Sequence, residues 1–316
     1  MKKKTILIIG GSGFFGKSIL EYFSQHTYLK KKINKIIIIN RRNINSDVFY
    51  NVKKNYKFQK INKNILKLKK IPTADFVIYC ALLKNFNDDH LALKHYMNLA
   101  KNYHKNSRIL YISSGAVYGR QSKNIKKVKE SYAYYKKKKN YLGKGYKKNY
   151  SSLKRKNEKI FKQLGDYGIK ISIARCFTFV GRFLPRNSKY AVGNFIDNIL
   201  KNKNIFIKSN YNVFRSYMYV DDLVRWLIKI VENSTKSCPT YNVGSENSVN
   251  IHKFGRILAK KYNLNCQETN IEKNKYDIYV PSTLKIKKEL NLECSYSSIA
   301  AVTKTIALLK NGKNQN

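Results

Sequence analysis

Three glycines after an apolar segment near the start of the chain limit what it can fold into. Residues 5–9 read as a buried strand, and Gly10, Gly13 and Gly16 follow it and open a helical pattern. In that context the first glycine permits a tight turn, the second lets backbone approach a pyrophosphate, and the third lets the helix pack on the strand. The amides of Phe14–Phe15 would then face phosphate at the helix N-terminus. The segment predicts a dinucleotide-binding turn; the alternative is a tightly packed turn with no ligand.

Strand and helix patterns alternate through the first 180 residues, which predicts an α/β fold with a Rossmann-type doubly wound parallel sheet. The predicted strands are 5–9, 35–39, 75–80, 107–113 and 170–174, and the predicted helices include 89–103 and 150–164. Beyond residue 181 the alternation loosens into a smaller mixed α/β portion, with helices expected at 192–201, 220–232 and 251–262 and short strands at 205–207 and 241–243. We therefore expect an NAD(P)-binding Rossmann domain over 1–180, completed by parts of 213–245. Residues 181–316 would mainly bind substrate and form one wall of its cleft.

The charge of the chain is extreme but evenly spread. It has 64 Lys and Arg against 18 Asp and Glu, a formal net charge of +46. Nucleic-acid-binding proteins more often concentrate positive charge on one face or in a tail. We therefore expect no nucleic-acid partner, although a positive field would help to attract a phosphorylated substrate. The lysine-rich segment 122–149 is predicted to be a solvated surface loop, the alternative being a nucleic-acid or membrane patch.

The remaining composition points to a cytoplasmic protein. No apolar stretch is long enough to cross a bilayer, so no membrane insertion is expected. The five cysteines are scattered and form no Cys-x-x-Cys pair. This pattern favours reduced thiols in the cytoplasm and no metal site.

A tyrosine–lysine pair is the candidate for proton transfer. Seven tyrosines have a lysine four residues later, so the spacing alone has no value. Tyr150 differs because its segment continues as an amphipathic helix, which puts Tyr150 and Lys154 on one face. A neighbouring ammonium favours a phenolate, so this tyrosine could act as an acid or base. Ser114, where a strand should end, could hydrogen-bond the reacting oxygen, or it could simply tie down backbone.

The end of the second predicted strand bears on the cofactor. An acidic residue usually stands there and holds the adenine ribose, but this chain has Asn40-Arg41-Arg42. Without a carboxylate a 2′-phosphate meets no repulsion, and an arginine could pair with it. The cofactor is therefore NAD or NADP, with NADP favoured.

Together these motifs resemble the extended short-chain dehydrogenase/reductase superfamily, in its nucleotide-sugar epimerase/dehydratase branch. Further segments carry the resemblance: Tyr79-Cys-Ala81-Leu-Leu-Lys84, Ala174-Arg-Cys-Phe-Thr178-Phe-Val-Gly181, Arg215-Ser-Tyr-Met-Tyr-Val-Asp-Asp222, Tyr241-Asn-Val-Gly-Ser245 and Tyr279-Val-Pro-Ser-Thr283. The resemblance implies a lysine near the nicotinamide ribose at Lys84 and an arginine on the substrate diphosphate at Arg215. It also implies a homodimer.

The site residues implied by motif and resemblance fall into three groups. Catalysis is assigned to Ser114, Tyr150 and Lys154. Cofactor contacts are expected from Gly10, Gly13, Phe14, Phe15, Gly16, Asn40, Arg41, Asn64, Ala81, Lys84, Tyr150 and Lys154. Substrate contacts are expected from Ser114, Thr178, Arg215 and Asp277.

Departures from the family pattern narrow the expected reaction. The family's 4,6-dehydratases place an acidic pair after the position of Ser114, but Gly115-Ala116 offers no carboxylate. Enzymes similar to GDP-fucose synthase use a cysteine and a histidine, and no cysteine stands directly after Ser114. Thr178 replaces a usual asparagine, Arg182 a usual proline, and Asn274 a frequent base-contacting arginine.

The resemblance therefore implies an NAD(P)-dependent nucleotide-sugar epimerase. In such an enzyme hydride is removed from and returned to sugar C4, and Tyr150 would be the acid and base. A 4-ketoreductase or a 4,6-dehydratase of the same family is the alternative. A non-catalytic cofactor- or nucleic-acid-binding module is the rival from another class.

Overall fold

The structure, a computed structural model, describes residues 3–41, 47–121, 124–132, 145–186 and 190–313. Up to residue 176 its main elements are β1 (Lys4–Ile9), α1 (Phe14–Gln25), β2 (Ile33–Ile39), α2 (Asp47–Lys53), β3 (Lys57–Ile61), β4 (Phe76–Tyr79), α3 (Phe86–Tyr103), β5 (Arg108–Ser114), α4 (Tyr146–Lys162) and β6 (Lys170–Cys176). The later elements are β7 (Phe179–Val180), α5 (Ala191–Leu200), β8 (Ile205–Ile207), β9 (Tyr211–Ser216), β10 (Met218–Tyr219), α6 (Val220–Glu232), β11 (Thr240–Val243), β12 (Ser248–Asn250), α7 (Ile251–Lys261), β13 (Cys266–Glu268), β14 (Glu272–Tyr279), α8 (Leu284–Leu290) and α9 (Ser298–Lys313).

The chain divides into two compact units. The first comprises Met1–Val117, Leu142–Cys176 and Val224–Tyr241, and the second comprises Tyr118–Tyr141, Phe177–Leu223 and Asn242–Asn316. The assignment of substrate binding mainly to 181–316 stays a prediction.

A seven-stranded sheet organises the first unit, in the order β11-β6-β5-β4-β1-β2-β3. The pairings among β1 to β6 are all parallel, which confirms the predicted Rossmann-type fold. The four isoleucines of 36–39 are buried, as expected for a parallel strand covered on both faces. Ile9, Tyr79 and Tyr111 lie side by side in register. The carboxyl ends of β1, β4 and β5 therefore meet at one edge of the sheet, where ligands bind in folds of this kind.

The second unit contains smaller sheets. In the largest of them, β9 lies between β12 and β14, antiparallel to the former and parallel to the latter. Arg215 on β9 pairs in register with Val249 and Tyr279. Strand β8 pairs with β13, and β7 with β10. The helix α7 packs against β8 and β9, and α5 packs against α7 and α9.

Two helices begin one turn earlier than the hydrophobic pattern predicts, and their caps explain why. The Asn85 side chain accepts hydrogen bonds from the N–H groups of Asn87 (2.8 Å) and Asp88 (3.2 Å), so α3 begins at Phe86. Helix α4 follows Gly145, whose φ is +56°. Tyr150 therefore lies one turn inside α4, and the prediction that it opens the helix is wrong.

The lysine-rich segment is only partly a solvated loop. Residues 122–123 and 133–144 lie outside the described residues, but 124–132 are held by the second unit. Val128 is 1% exposed, and its N–H donates to the carbonyl of Val280 (3.0 Å). The Glu130 carboxylate accepts from the N–H of Asn242 (2.8 Å). Residues 124–132 are thus a mostly exposed loop, as predicted, that is anchored by one apolar and one acidic side chain. The loop prediction is wrong for residues 146–149, which form the first turn of α4.

The helices themselves bear on membrane insertion. In the described part of the chain, every helix is too short or too polar to cross a membrane.

Candidate active site

Close packing of the turn after β1 requires glycine at two of its three glycine positions. Gly10 has a φ of +103°, and a Cβ there would lie 2.7 Å from the backbone nitrogen of Ala81. A Cβ on Gly16 would lie 2.5 Å from the carbonyl oxygen of Gly10. A side chain at either position would collide with backbone, so glycine is required there.

Gly13 differs because the protein leaves space beside it. The nearest atom to a Cβ at Gly13 would be the carbonyl oxygen of Gly10, at an ordinary contact distance of 3.6 Å. Gly13 is also the N-cap of α1, whose first turn begins with Phe14 and Phe15 and contains no acidic residue. Backbone N–H groups and the helix dipole favour an anion at such an end. These residues therefore fit the phosphates of a dinucleotide.

The predicted cofactor residues that follow β2 and β3 have different surroundings. Asn40 is buried, and its amide donates to the side-chain oxygen of Asn62 (3.1 Å), which follows β3. Arg41 is exposed at the surface, and Arg42 lies outside the described residues. The side chain of Asn64 caps a short 3₁₀ helix by accepting from the second N–H after it (3.2 Å). The sequence does not single out Asn62, because the two lysines in β3 obscure the pattern of that strand.

The loop after β4 carries the next predicted cofactor residues. The Ala81 backbone packs against Gly10, as the close approach at that glycine shows. Lys84 is exposed. Between them, the N–H of Leu83 donates to Oδ1 of Asp89 (2.8 Å) on α3. The loop is therefore tied to α3 by a buried carboxylate.

Lys154 is buried beside Tyr150 and held by strand β5. It is 3% exposed, and its Nζ donates to the Tyr111 hydroxyl and to the Ile112 carbonyl, both at 3.2 Å. The same nitrogen lies 5.8 Å from the centre of the Tyr150 ring. That ring is stacked on Tyr146 one turn earlier, with centres 6.1 Å apart. The helix period thus brings the predicted tyrosine and lysine together.

The surroundings of Lys154 keep it charged. Burial by itself lowers the pKa of the Lys154 ammonium. The neighbouring Tyr111, Tyr150 and Asp89 groups more than offset that effect and raise this pKa well above its ordinary value. A fixed positive charge therefore lies next to Tyr150 over the whole physiological pH range.

Ser114 is where the sequence predicts it, as the last residue of β5. It lies two residues beyond Ile112, whose carbonyl holds Lys154. Its hydroxyl accepts the N–H of Ala116 (3.2 Å). Ser114 thus has the backbone contact that the structural interpretation expects, in a place that also suits the catalytic one.

Sequence reasoning missed a set of buried polar side chains around Lys154. Asn157, one turn after Lys154 on α4, contacts Asp89 and His90 of α3. Glu158 accepts from Ser113 (2.6 Å) and forms an ion pair with Arg175 (2.8 Å). The available signal was the spacing of three and four residues after Lys154, which puts Asn157 and Glu158 on the inner face of the helix.

Three of the four predicted substrate residues, Thr178, Arg215 and Asp277, lie in the second unit. Arg215 donates to Oδ2 of Asp277 (2.8 Å) and to its backbone carbonyl (2.9 Å). Both side chains are about one-fifth exposed, at 20% and 22%. The Thr178 hydroxyl donates to the carbonyl of Ser216, the residue after Arg215. The pair is thus ordered yet open enough to meet a solute.

Comparisons with known proteins find similarity over most of the chain. UDP-glucuronic acid decarboxylase 1 of Xenopus tropicalis is 23% identical over 270 residues, covering 82% of this chain. The chain spans 60% of the length of that relative.

Two solved structures share the fold. One is a UDP-N-acetylglucosamine 4-epimerase from Methanobrevibacter ruminantium in complex with UDP-N-acetylmuramic acid, with a TM-score of 0.78 and 19% identity over 99% of this chain and 100% of that one. The other is a dTDP-glucose 4,6-dehydratase from Bacillus anthracis in complex with NAD, with a TM-score of 0.79 and 16% identity over 98% and 97% of the two chains.

A family model matches a stretch of the chain that contains the glycine turn, β5, α4 and Arg215. The model of the NAD dependent epimerase/dehydratase family matches residues 6–244. The chain belongs to this family.

Proposed function

We propose that this protein is an NAD(P)-dependent nucleotide-sugar epimerase that acts at C4 of the sugar. The observation that carries the proposal is the Lys154 ammonium, buried and fixed by β5 beside Tyr150. Family membership supplies the context in which this pair is chemically meaningful.

The residues of the site divide the chemistry among them. A bound nicotinamide supplies the hydride acceptor and donor. The Tyr150 phenol oxygen takes the proton of the sugar hydroxyl and later returns it. The permanent charge on Lys154 stabilises the negative charge that develops on the phenol oxygen during proton transfer, and Ser114 orients the reacting oxygen by a hydrogen bond.

The substrate's diphosphate is assigned to Arg215. Its guanidinium is already oriented by the bond to Asp277, so little ordering entropy is lost on binding. The +46 charge of the chain would further favour an anionic substrate. A nucleotide sugar satisfies both features.

The choice of epimerase depends on the two residues directly after β5. Gly115 and Ala116 occupy the positions where a dehydratase of the family would carry its acidic pair. Loss of water from the sugar would need an acid and a base beyond Tyr150. Inversion at C4 needs only proton and hydride transfer, which the residues Ser114, Tyr150 and Lys154 can support.

The cofactor preference is proposed from the end of β2. Asn40 and the exposed Arg41 present no carboxylate to a 2′-phosphate, which supports NADP over NAD. The solved dehydratase, by contrast, holds NAD. From the resemblance we also expect a cytoplasmic homodimer.

A panel of nucleotide sugars, incubated with purified protein with and without added NADPH, tests the function. Conversion to the C4 epimer without added reductant is the expected result. A strict need for stoichiometric NADPH would instead assign a 4-ketoreductase, which uses the same three catalytic residues. Formation of a 4-keto-6-deoxy sugar would assign a dehydratase. No conversion, with DNA retained at physiological salt, would favour the non-catalytic module.

A further inference from the structure

A buried carboxylate stands between Lys154 and the loop after β4. Asp89 on α3 is 3% exposed. Its Oδ1 accepts from the N–H of Leu83 (2.8 Å), and its Oδ2 accepts from the side-chain amide of Asn157 (3.3 Å). Both oxygens are therefore committed to groups on different elements.

Asn157 links Asp89 to Lys154 through the Tyr111 hydroxyl. Its side-chain oxygen lies 2.7 Å from Nδ1 of His90 and can only accept, so the histidine donates and the amide orientation is fixed. The amide nitrogen then faces Asp89, and Asn157 also hydrogen-bonds the Tyr111 hydroxyl. That hydroxyl accepts from Nζ of Lys154 (3.2 Å).

We propose that Asp89 and Asn157 are positioning residues that hold the Lys154 ammonium, through Tyr111, in a fixed place relative to the loop 81–84. The inference rests on the proposed function, in which this ammonium serves Tyr150. Asp89 acts at both ends, because it fixes the loop through Leu83 and the lysine through Asn157.

Stability alone does not account for the carboxylate. Burial raises the pKa of Asp89, and Lys154 and the Leu83 N–H only partly offset this. A carboxyl group whose pKa is raised by folding costs stability at pH values above its unfolded pKa. A carboxyl group kept at such a cost beside a candidate active site indicates a functional role.

The charged and titratable groups near Lys154 come from every element packed around it. They are Cys80 after β4, Tyr111 on β5, Cys176 on β6, Asp89 on α3, and Tyr146 and Tyr150 on α4. His90 of α3 contacts Asn157 and acts on Asp89. Asp89→Asn removes a carboxyl group that can carry negative charge close to the Lys154 ammonium. The acid that must lose its proton for turnover then loses it more easily, so the acidic limb of the kcat profile should move to lower pH.

Asp89→Asn is the first test. The asparagine keeps an oxygen for the N–H of Leu83 but turns its own NH₂ toward the NH₂ of Asn157, so the chain to Tyr111 is disturbed. We expect kcat to fall about 10- to 100-fold, the loss that a slightly misplaced catalytic group causes. KM for the sugar and the cofactor Kd should change less than about threefold. The double variant Asp89→Asn/Asn157→Asp restores the donor–acceptor match and should regain most of the lost kcat.

Asp88→Asn is the matched control, because it removes the same charge from the exposed neighbouring position of α3. It should leave kcat and its pH profile as in the wild type. Tyr111→Phe is a second variant that keeps the ring and removes only the oxygen that Lys154 contacts. It keeps the proposal testable if Asp89→Asn fails to fold.

A measurement on the protein without substrate separates this inference from the proposed function. In protein labelled with ¹⁵N-lysine, a buried ammonium held by two acceptors should give a slowly exchanging Nζ signal that Lys154→Met removes. Broadening of that signal in Tyr111→Phe and Asp89→Asn supports the positioning role, even if the wild type converts no sugar. An unchanged signal, or a wild-type kcat and pH profile in Asp89→Asn, overturns it.

Discussion

Two of the four tyrosine–lysine pairs of this spacing in the first unit, Tyr50–Lys54 and Tyr150–Lys154, have contrasting surroundings. Of these two, only Tyr150–Lys154 has the surroundings of a catalytic pair. Tyr50 on α2 is 63% exposed, and Nζ of Lys54 lies 4.5 Å from the centre of its ring. Nζ of Lys154 lies farther from Tyr150, at 5.8 Å, but is bound by a hydroxyl and a carbonyl of β5. Closeness of the two side chains is therefore not what distinguishes the pairs.

The difference lies in what holds the ammonium. An exposed lysine is hydrated and changes rotamer freely, so its effect on a neighbouring phenol is small and screened by salt. A buried lysine with fixed acceptors keeps its charge at one point in a medium of lower dielectric. Catalysis by such a pair thus depends on the groups that bury and hydrogen-bond the lysine more than on the spacing of the motif.

Tyr150→Phe should have the largest effect on turnover, because it alters the pair whose lysine is buried and fixed. The substitution removes one oxygen and hardly changes shape, so folding and cofactor affinity should be preserved. Turnover should fall about 10²- to 10⁴-fold, the usual contribution of a positioned acid–base group. Single-turnover measurement of sugar conversion, with unfolding and cofactor titrations alongside, checks this.

Tyr50→Phe is the matched control for that experiment, because it alters the exposed pair of the same spacing. It should be silent. If Tyr50→Phe or Tyr132→Phe abolished conversion while Tyr150→Phe retained it, the active site would lie in another segment. Tyr134 and Tyr135 carry the same motif but lie outside the described residues.

Sequence patterns predicted the sheet and the pair well, because they depend on local period and on glycine geometry. The parallel core follows from runs such as the isoleucines of 36–39, and the pairing of Tyr150 with Lys154 follows from the turn of a helix. The partners of Lys154 could not be predicted in the same way. Asp89 and Tyr111 reach it from elements 65 and 43 residues away in sequence, and only the strand register and helix packing bring them together.

Arg215→Ala tests a cation of an intermediate kind, ordered by an ion pair yet about one-fifth exposed. Its loss should weaken nucleotide-sugar binding by roughly 1.5–3 kcal/mol, the value of a hydrogen bond to a charged group. Cofactor affinity should survive, and calorimetry with a nucleotide sugar and with the cofactor measures both.

Arg256→Ala is the control for the ion pair, since this arginine contacts Glu268 in the same unit but is 60% exposed. It should leave substrate affinity unchanged. Equal affinities for wild type and Arg215→Ala would remove Arg215 from the site.

Gly16 and Gly13 differ in whether the protein fills the space beside them. Gly16→Ala places a methyl group against backbone and should lower the unfolding free energy by about 1–3 kcal/mol. Gly13→Ala meets nothing closer than 3.6 Å, so the fold should be retained. Its cost should instead appear in cofactor binding, at about 1–2 kcal/mol, if phosphate approaches that backbone.

Thermal unfolding and cofactor titration of the two variants distinguish these effects. An unaltered cofactor affinity in a folded Gly13→Ala protein would argue that the turn is packing only.

The smallest expected effect concerns Arg41, which is exposed as Lys54 is and is therefore screened by water and salt. Arg41→Ala should weaken NADP binding about three- to tenfold, or roughly 0.7–1.4 kcal/mol, and leave NAD binding unchanged. The difference should shrink as salt rises, because the contact is at the surface. Lys54→Ala removes the same charge from another exposed position of the first unit and should affect neither cofactor. Tight binding of NAD over NADP by the wild type, with no change on Arg41→Ala, would show that Asn40 and its neighbour Asn62 define the ribose site without the arginine.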